Sequence, residues 1–443
     1  MIENISVIGT GYLGATHAAC MAELGFDVVG VDVDPAKIDS LSRGELPFHE
    51  PGLPELIRKH IATGKLRFTT DYAEIGGWAD VHFIAVGTPQ IAGGTGADMT
   101  YVEHAIGSLA ETITKDALIV GKSTVPVGTA RRLTQLLQQR DDDSPRIGLA
   151  WNPEFLREGY AVRDTLSPDR LVVGTEDPRD EDSLREVYRQ ALAQQTPWIG
   201  TDFETAELVK VAANAFLATK ISFINAFSEV TESVGGDIRT LADALGHDSR
   251  IGRKFLNAGV GFGGGCLPKD IRALQTRVSE LGLDSTMRFL SEVDQINLRR
   301  RERVVTLADR MLARDLTGKR VAVLGITFKP LSDDVRDSPG LDVANRLYSA
   351  GAEVSVYDPE GNDNARRRFP RLGYVDSWED AVTGADLVIL TTEWQELKAL
   401  EPAGLGDLVR ERQFIDARNV LEAAPWEAAG WRFAQLGKVF PAE

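Results

Sequence analysis

Three glycines and one acid near the start constrain this chain more than anything else in it. Gly9-Thr-Gly11-Tyr-Leu-Gly14 follows the apolar run 5–8 and opens a helical stretch, and Asp32 closes the next apolar run, 28–31, about 20 residues further on. Gly9 permits a tight turn, Gly11 lets a pyrophosphate approach the backbone, and Gly14 lets helix and strand pack closely. The helix N-terminus offers unpaired N–H groups to an anion. Together these residues predict a strand–turn–helix–strand unit of a parallel sheet that takes a dinucleotide. Asp32 is placed to bond ribose hydroxyls and its charge would repel a 2′-phosphate, so NAD is expected over NADP.

The same rhythm continues downstream. Strand candidates at 81–86, 118–120 and 147–150, then 172–174 and 198–199, alternate with helical or loop stretches, as a parallel sheet with crossover helices requires. Val86-Gly-Thr88-Pro89 and Lys122-Ser-Thr124-Val-Pro126 fall at strand ends, where an open α/β sheet presents ligand-contacting loops. From Thr201 the texture changes. Thr201-Asp-Phe-Glu204 reads as a capping box, and 206–234 carries Leu208, Val209, Ala212, Phe216, Ile224, Phe227 and Val230 without proline or glycine. One long helix is expected there, able to tie domains together or to pair with its copy in a homodimer, and more helical sequence runs to 313.

Alternation then resumes at 321–325, 353–357, 387–391 and 414–416. Gly325-Ile-Thr-Phe-Lys329-Pro opens this part without a glycine fingerprint, so no second NAD is indicated, and Lys329 can meet a phosphate as a point charge. With 443 residues, the chain exceeds one ordinary core. The expected fold class is α/β: two Rossmann-like doubly wound domains, 1–200 and 314–443, joined by a central helical region, 201–313, with one long helix. The Asp-rich stretch 138–145 reads as an exposed loop.

Composition excludes several functions. A net charge of −17 argues against a nucleic-acid partner, although small anions remain possible where basic residues converge. No apolar run approaches the roughly 20 residues of a membrane helix, and the N-terminus lacks the pattern of a signal peptide. Two cysteines in different elements predict reduced thiols and a cytoplasmic address. The six histidines form no metal-ligand spacing, so no metal is expected.

Cys266 is the candidate reacting group. It lies in Val260-Gly-Phe-Gly-Gly-Gly-Cys-Leu-Pro-Lys-Asp270, with four glycines in the six positions before it and Lys269 and Asp270 just after. A cation lowers a thiol's pKa and a carboxylate moves protons, which suits a nucleophile, whereas a tight turn beside a packed cysteine is the plainer alternative. Trp151-Asn-Pro-Glu154-Phe-Leu-Arg-Glu158-Gly places two acids on one face if it forms a helical turn, or else an acidic helix start. Lys210 and Asn214, at i and i+4 in the long apolar helix, should face a counter-charge, each other's helix partners or a ligand oxyanion. Arg250, Lys254 and Arg418 are further anion contacts or simply solvated charges.

In order, GTGYLG, VGTP, STVPVGT, NPEFLREG, ELVKVAANAFLA, KFLNAGVGFGGGCLPKD and GITFKP with DDVRDSP closely resemble the UDP-glucose 6-dehydrogenase branch of the nucleotide-sugar dehydrogenases, from the first strand to about Val420. The resemblance implies NAD-dependent, four-electron oxidation of a sugar's primary alcohol to a carboxylate through a cysteine thiohemiacetal and thioester. UDP-glucose is the substrate it implies, with dTDP-glucose or GDP-mannose as alternatives; Leu267 is shared with the GDP-mannose branch. Position by position, it makes Cys266 the nucleophile, Lys210 and Asn214 oxyanion stabilisers, Asp270 a proton handler, Glu154 an aid to hydrolysis and Thr124 a water positioner. Gly11, Tyr12, Leu13, Asp32, Lys37, Thr88, Thr124, Glu158 and Arg336 map to NAD contacts. Phe155, Leu156, Arg157, Lys210, Asn214, Asn257, Gly261, Phe328, Lys329 and Arg418 map to the nucleotide sugar, and Arg250 to the substrate of a partner subunit. Two competing readings are a two-electron hydroxyacid-type dehydrogenase with a structural cysteine, and an NAD-sensing protein with a redox-switch cysteine.

Overall fold

The computed structural model describes residues 2–139 and 144–440; the Asp run 141–143, within the stretch 138–145 expected as loop, lies outside them. Two compact units divide the chain: Met1–Ala213 with Arg272–Leu281, and Asn214–Ile271 with Gly282–Glu443.

In the first unit, apolar runs of four or five residues form an eight-stranded sheet. Its strands are β1 (Asn4–Ile8), β2 (Asp27–Val31), β3 (Leu66–Thr69), β4 (Val81–Ile84), β5 (Ala117–Gly121), β6 (Ile147–Trp151), β7 (Leu171–Thr175) and β8 (Trp198–Thr201). Their order is β3-β2-β1-β4-β5-β6-β7-β8, reversing between β1 and β4, the place where open α/β sheets bind ligands. Alternate residues feed separate cores on the two faces: Val7, Val28, Phe83 and Val120 in one, Ile8, Val29, Ile84 and Ile119 in the other. Double-sided burial explains why these strands read as near-continuous apolar runs.

Two local expectations are corrected. β7 pairs antiparallel with β6, Ala150 opposite Thr175, where a parallel crossover was expected. The connection holds only the six-residue helix Ala161–Leu166, about 9 Å long and too short to run back along a five-residue strand. Thr201 does not cap the long helix, because it ends β8 opposite Gly174; Asp202 caps instead, accepting from the Thr205 amide at 2.7 Å.

In the second unit, β9 (Arg320–Leu324), β10 (Glu353–Tyr357), β11 (Gly373–Tyr374), β12 (Leu387–Leu390), β13 (Gln413–Asp416) and β14 (Arg432–Gln435) form an all-parallel sheet ordered β11-β10-β9-β12-β13-β14. This repeats the order of the first six strands of the other sheet. One face packs Val321, Val323, Val356 and Ile389; the other packs Ala322, Leu324, Val388 and Phe414. The long helix, Phe203–Val234, belongs to the first unit up to Ala213 and to the second from Asn214. The helices Ile238–Gly246, Leu267–Glu280 and Phe289–Met311 complete the helical region. Among the described residues no helix is long and apolar enough to cross a membrane.

An aromatic cluster fills one face of the second sheet. The Phe414 ring, fully buried, lies 4.4 Å from Trp426 and 5.6 Å from Phe433 between centroids. Phe414→Ala should therefore lower the unfolding free energy of this unit by about 3–5 kcal/mol. Denaturation followed by tryptophan fluorescence checks this, with Phe414→Leu expected to cost less.

Candidate active site

The glycine turn after β1 has the geometry a pyrophosphate needs. Gly9 has φ +88°, and a Cβ there would come within 2.8 Å of the Val86 backbone; a Cβ on Gly14 would collide with the Gly9 carbonyl. Nothing lies within 4 Å of where a Gly11 Cβ would be, so that face is open. Helix Tyr12–Glu23 starts there without a side-chain cap, leaving its first N–H groups for a ligand. Asp32, at the end of β2, takes the Thr10 amide at 2.9 Å and the Lys37 ammonium at 2.7 Å on one oxygen, and the Asp34 amide at 3.2 Å on the other. Burial works to raise its carboxyl, but Lys37 and the backbone amides outweigh burial and hold it below its ordinary value. These residues fit NAD: an uncapped helix end for phosphate, an open glycine face and an ionised acid for ribose.

Asp358, in the matching place at the end of β10, has a different environment. It is 2% exposed. One oxygen takes the Ile326 and Thr327 amides, the Thr327 hydroxyl and the Trp394 indole; the other takes the Glu360 and Gly361 amides. All its acceptor capacity is spent within the fold.

Glu50, which sequence reasoning passed over, ties the cofactor turn to the loop after β6. It is buried, accepts from the Gly159 amide at 2.6 Å and the Ala161 amide at 2.8 Å, and receives the Tyr12 hydroxyl. Burial, then the bond to Glu50, pushes the Tyr12 hydroxyl well above its ordinary value, and the charge of Glu158 adds to the shift. The His-Glu-Pro-Gly context of Glu50 offered only a turn signal.

Residues 152–157 are irregular, not a helical turn, so Glu154 and Glu158 do not share a helix face. Glu154 bends back onto its own loop, accepting from the Leu156 amide at 2.7 Å, and pairs with Lys210 at 3.0 Å. Arg157 pairs with Asp164 at 2.6 Å, and the Phe155 ring lies under Arg170 at 4.0 Å. Behind them Lys122 is buried without a carboxylate in bonding contact: its ammonium donates to Asn152 Oδ1 at 2.9 Å and to the Tyr188 hydroxyl at 3.3 Å. Burial drives Lys122 down to about 8, with Glu154 opposing the shift and Lys210 adding to it. Lys122, Asn152, Glu154 and Phe155 line a cavity with Leu13 and His17.

Thr124 sits on the loop after β5, held from three directions. Thr88 donates its hydroxyl to the Thr124 carbonyl at 2.8 Å, Arg277 donates to the Val127 carbonyl at 3.0 Å, and Glu207 accepts the Gly128 and Ala130 amides at 2.6 and 2.7 Å. Glu207, three residues before Lys210 on the long helix, is the second acid that sequence reading missed. Its only signal was an acid beside Lys210 in an apolar stretch.

In the second unit Cys266 is exposed, at the head of helix Leu267–Glu280, its carbonyl accepting the Asp270 amide at 2.9 Å. Cys20, by contrast, is buried, and burial pushes its thiol up to about 12. Asp270 is 2% exposed, accepting from the Asn214 side-chain amide at 2.6 Å on one oxygen, while Lys269 stands in ion-pair contact with the other at 2.7 Å. The four glycines before Cys266 each have a separate neighbour: a Cβ on Gly261, Gly263, Gly264 or Gly265 would run into Asn297, Asp337, Phe328 or Arg336 respectively. Arg336 pairs with Asp334 at 2.7 Å, which in turn takes the Gly265 amide at 3.2 Å. Arg418 spends its guanidinium on the Thr391, Gly261 and Phe328 carbonyls at 2.7, 3.1 and 3.1 Å. Lys329 lies over the Phe328 ring at 5.3 Å, Asn257 accepts from Arg253 at 2.7 Å, and exposed Arg250 pairs with Asp248 at 2.6 Å.

Burial raises the Glu207 carboxyl to about 7 from an ordinary 4.5, against the pull of its two amides. Between those values the folded protein holds a proton that the unfolded chain has lost, so stability falls as pH rises through that window. Glu207→Gln cannot titrate. The stability of the parent relative to this variant should drop by roughly 3 kcal/mol from pH 4.5 to 7. Urea unfolding at several pH values checks the sign.

Three family models match the chain in order: the NAD binding domain of the UDP-glucose/GDP-mannose dehydrogenase family over residues 3–192, its central domain over 204–299 and its UDP binding domain over 322–423. The chain is 39% identical over 437 residues to a UDP-glucose 6-dehydrogenase of Rhizobium meliloti, covering 98% of this chain and 99% of that one. It is 40% identical over 436 residues to UDP-glucose 6-dehydrogenase YwqF of Bacillus subtilis, covering 98% of each. The solved structure of a UDP-glucose dehydrogenase from the hyperthermophilic archaeon Pyrobaculum islandicum matches with a TM-score of 0.90 at 35% identity, over 99% of this chain and 98% of that one. The chain therefore belongs to the UDP-glucose/GDP-mannose dehydrogenase family.

Proposed function

We propose that the protein is an NAD-dependent oxidoreductase that converts UDP-glucose to UDP-glucuronate at carbon 6 through a covalent bond to Cys266. The observation that carries this reading is an exposed thiol at a helix N-terminus, backed by the Lys269–Asp270–Asn214 array, in a chain whose full-length relatives are named UDP-glucose 6-dehydrogenases. The partial positive charge at that helix end favours the thiolate, which is the nucleophile.

The Gly9–Gly14 turn and Asp32 would hold NAD, which would supply the hydride acceptor for each of two oxidations at carbon 6. Between them the Cys266 sulfur bonds to the aldehyde carbon, its proton leaves, and the carbonyl oxygen takes one up to give a thiohemiacetal. Loss of hydride and the hydroxyl proton leaves a thioester. Water then adds, the carbon–sulfur bond breaks, the thiol recovers its proton and the carboxylate departs. Lys210 and Asn214 stabilise the oxygen as charge develops on it, Asp270 moves the protons through water, and Glu154 and Thr124 orient the hydrolytic water. Tyr12, Leu13, Lys37, Thr88, Glu158 and Arg336 contact NAD; Phe155, Leu156, Arg157, Asn257, Gly261, Phe328, Lys329 and Arg418 contact the nucleotide sugar. Residues 1–200, 201–313 and 314–443 act as the NAD, central and UDP-binding domains. We place the enzyme in the cytoplasm, where its thiols stay reduced.

We also infer a homodimer. Phe216, Phe223, Phe227, Val230 and Val234 form a seam at spacings of 7, 4, 3 and 4 along the long helix, each between 38% and 74% exposed in the single chain. This is the pattern by which helices pair. Arg250 reaches the partner's substrate in such a pair.

Two NADH should form per UDP-glucose consumed; one would favour a two-electron dehydrogenase. Cys266→Ala should bind NAD as the parent does yet form acid at below about a thousandth of its rate, measured by product chromatography. A panel with dTDP-glucose and GDP-mannose tests the base. For the dimer, Phe223→Glu with Phe227→Glu should shift the sedimentation coefficient to that of a monomer; an unchanged coefficient rules out this seam.

A further inference from the structure

Residues 252–266, which deliver Cys266, contain neither helix nor strand. Glycine backbones carry the largest conformational freedom, so a loop with four of them before the thiol cannot hold a reacting sulfur in place by itself. What holds it lies partly on helix Phe289–Met311.

We propose that Asn297 is the positioning residue of the Cys266 loop for the covalent half of the reaction, an inference that rests on Cys266 being the nucleophile. Asn297 is fully buried. Its side-chain carbonyl accepts the Phe262 amide at 2.7 Å, and its side-chain NH₂ donates to the Phe262 carbonyl at 3.0 Å. One carboxamide thus satisfies both backbone groups of a single loop residue, as a neighbouring strand would, four positions before the thiol. Gly261 has φ +102°, and a Cβ there would strike the Asn297 oxygen, so glycine at 261 and asparagine at 297 require each other.

The neighbouring bonds make this the keystone of a two-sided clamp. One turn on, Arg301 donates to the Phe262 carbonyl at 3.4 Å and pairs with Asp337 at 2.9 Å; Arg300 donates to the Gly259 carbonyl at 3.2 Å. From the other side the loop leans on the segments after β9 and β13. The Val260 amide donates to the Ala417 carbonyl at 2.8 Å, the Gly264 amide to the Arg336 carbonyl at 2.9 Å, and Arg418 donates to the Gly261 carbonyl at 3.1 Å. Asn297 contacts the loop with a donor and an acceptor at once. Aspartate lacks the donor and alanine lacks both.

Three enzymes should be compared with UDP-glucose and NAD: Asn297→Ala, Asn297→Asp and, as control for the covalent reading, Cys266→Ala. Misplacing a reacting group by about an ångström costs on the order of a hundredfold. Asn297→Ala should lose about that factor in acid formation with KM for NAD unchanged, and Asn297→Asp should lose less. Both should alkylate Cys266 with iodoacetamide at an altered rate. Both should also release aldehyde, trapped with hydroxylamine, so that NADH formed per acid exceeds two. A purely structural role would not move that partition. Parental turnover, alkylation and partition in a folded Asn297→Asp variant overturn the inference, including where Asn297→Ala fails to fold. Undiminished acid formation by Cys266→Ala overturns the covalent reading instead, and the two failures are distinct.

Discussion

Buried backbone amides in irregular loops must find partners, and satisfying that requirement organises every reactive segment of this protein. The glycine turn after β1, the loops after β5 and β6 and the loop 252–266 ending at Cys266 are irregular, so neither sheet nor helix supplies all their bonds. Single polar side chains supply others. Glu50 takes the Gly159 and Ala161 amides, Glu207 the Gly128 and Ala130 amides, Asn225 the Gly259 amide, and Asn297 both groups of Phe262. Each lies outside the loop it fixes, and all three loops carry a glycine at a bonded position or next to it. The glycines lower the steric barrier to close approach, and the buried acids and amides then select one conformation from the many that glycine allows.

The two sheets show the same requirement resolved in opposite ways. Both have a glycine with positive φ after the first strand, Gly9 at +88° and Gly325 at +84°, and both end the second strand in aspartate. Asp32 keeps an oxygen with one backbone donor at 3.2 Å, leaving it able to accept from a ribose. Asp358 has both oxygens filled by amides, a hydroxyl and an indole. Both acids take a threonine hydroxyl, from Thr10 and Thr327; what sets Asp358 apart is the Trp394 indole and the two amides on its other oxygen.

How much of this was legible in the sequence follows from where each signal resides. Strands buried on both faces announce themselves as apolar runs, and their rhythm yields both domains and the long helix. β3, β11 and β14, at the sheet edges, were missed because Leu66-Arg-Phe-Thr69, Gly373-Tyr374 and Arg432-Phe-Ala-Gln435 mix polar and apolar residues. The glycine turn and Asp32 were readable because backbone sterics impose their spacing locally. Glu50, Glu207 and Asn297 were not, since what distinguishes a buried, amide-bonding acid from a solvated one is burial by distant segments. Neither reading left open around Glu154, a helical turn or an acidic helix start, forms, because its carboxylate closes onto the Leu156 amide, an alternative that a local pattern does not weigh.

Electrostatics set the remaining constraint. The chain carries a formal charge of −17, which repels an anionic nucleotide sugar at long range, but at physiological salt that field fades over about 8 Å. Close to the reacting groups of the first unit the balance is reversed. Lys122 and Lys210 are both buried, and Glu154 pairs with Lys210 at 3.0 Å. With Lys122 brought down to about 8, it is still largely protonated at neutral pH, and the trio carries a net positive charge in a low-dielectric setting. Burying two cations costs solvation free energy that their neighbours must offset. Burial strips solvent from Lys122 and so lowers its pKa, and the charge it keeps acts on its neighbours at short range with little screening.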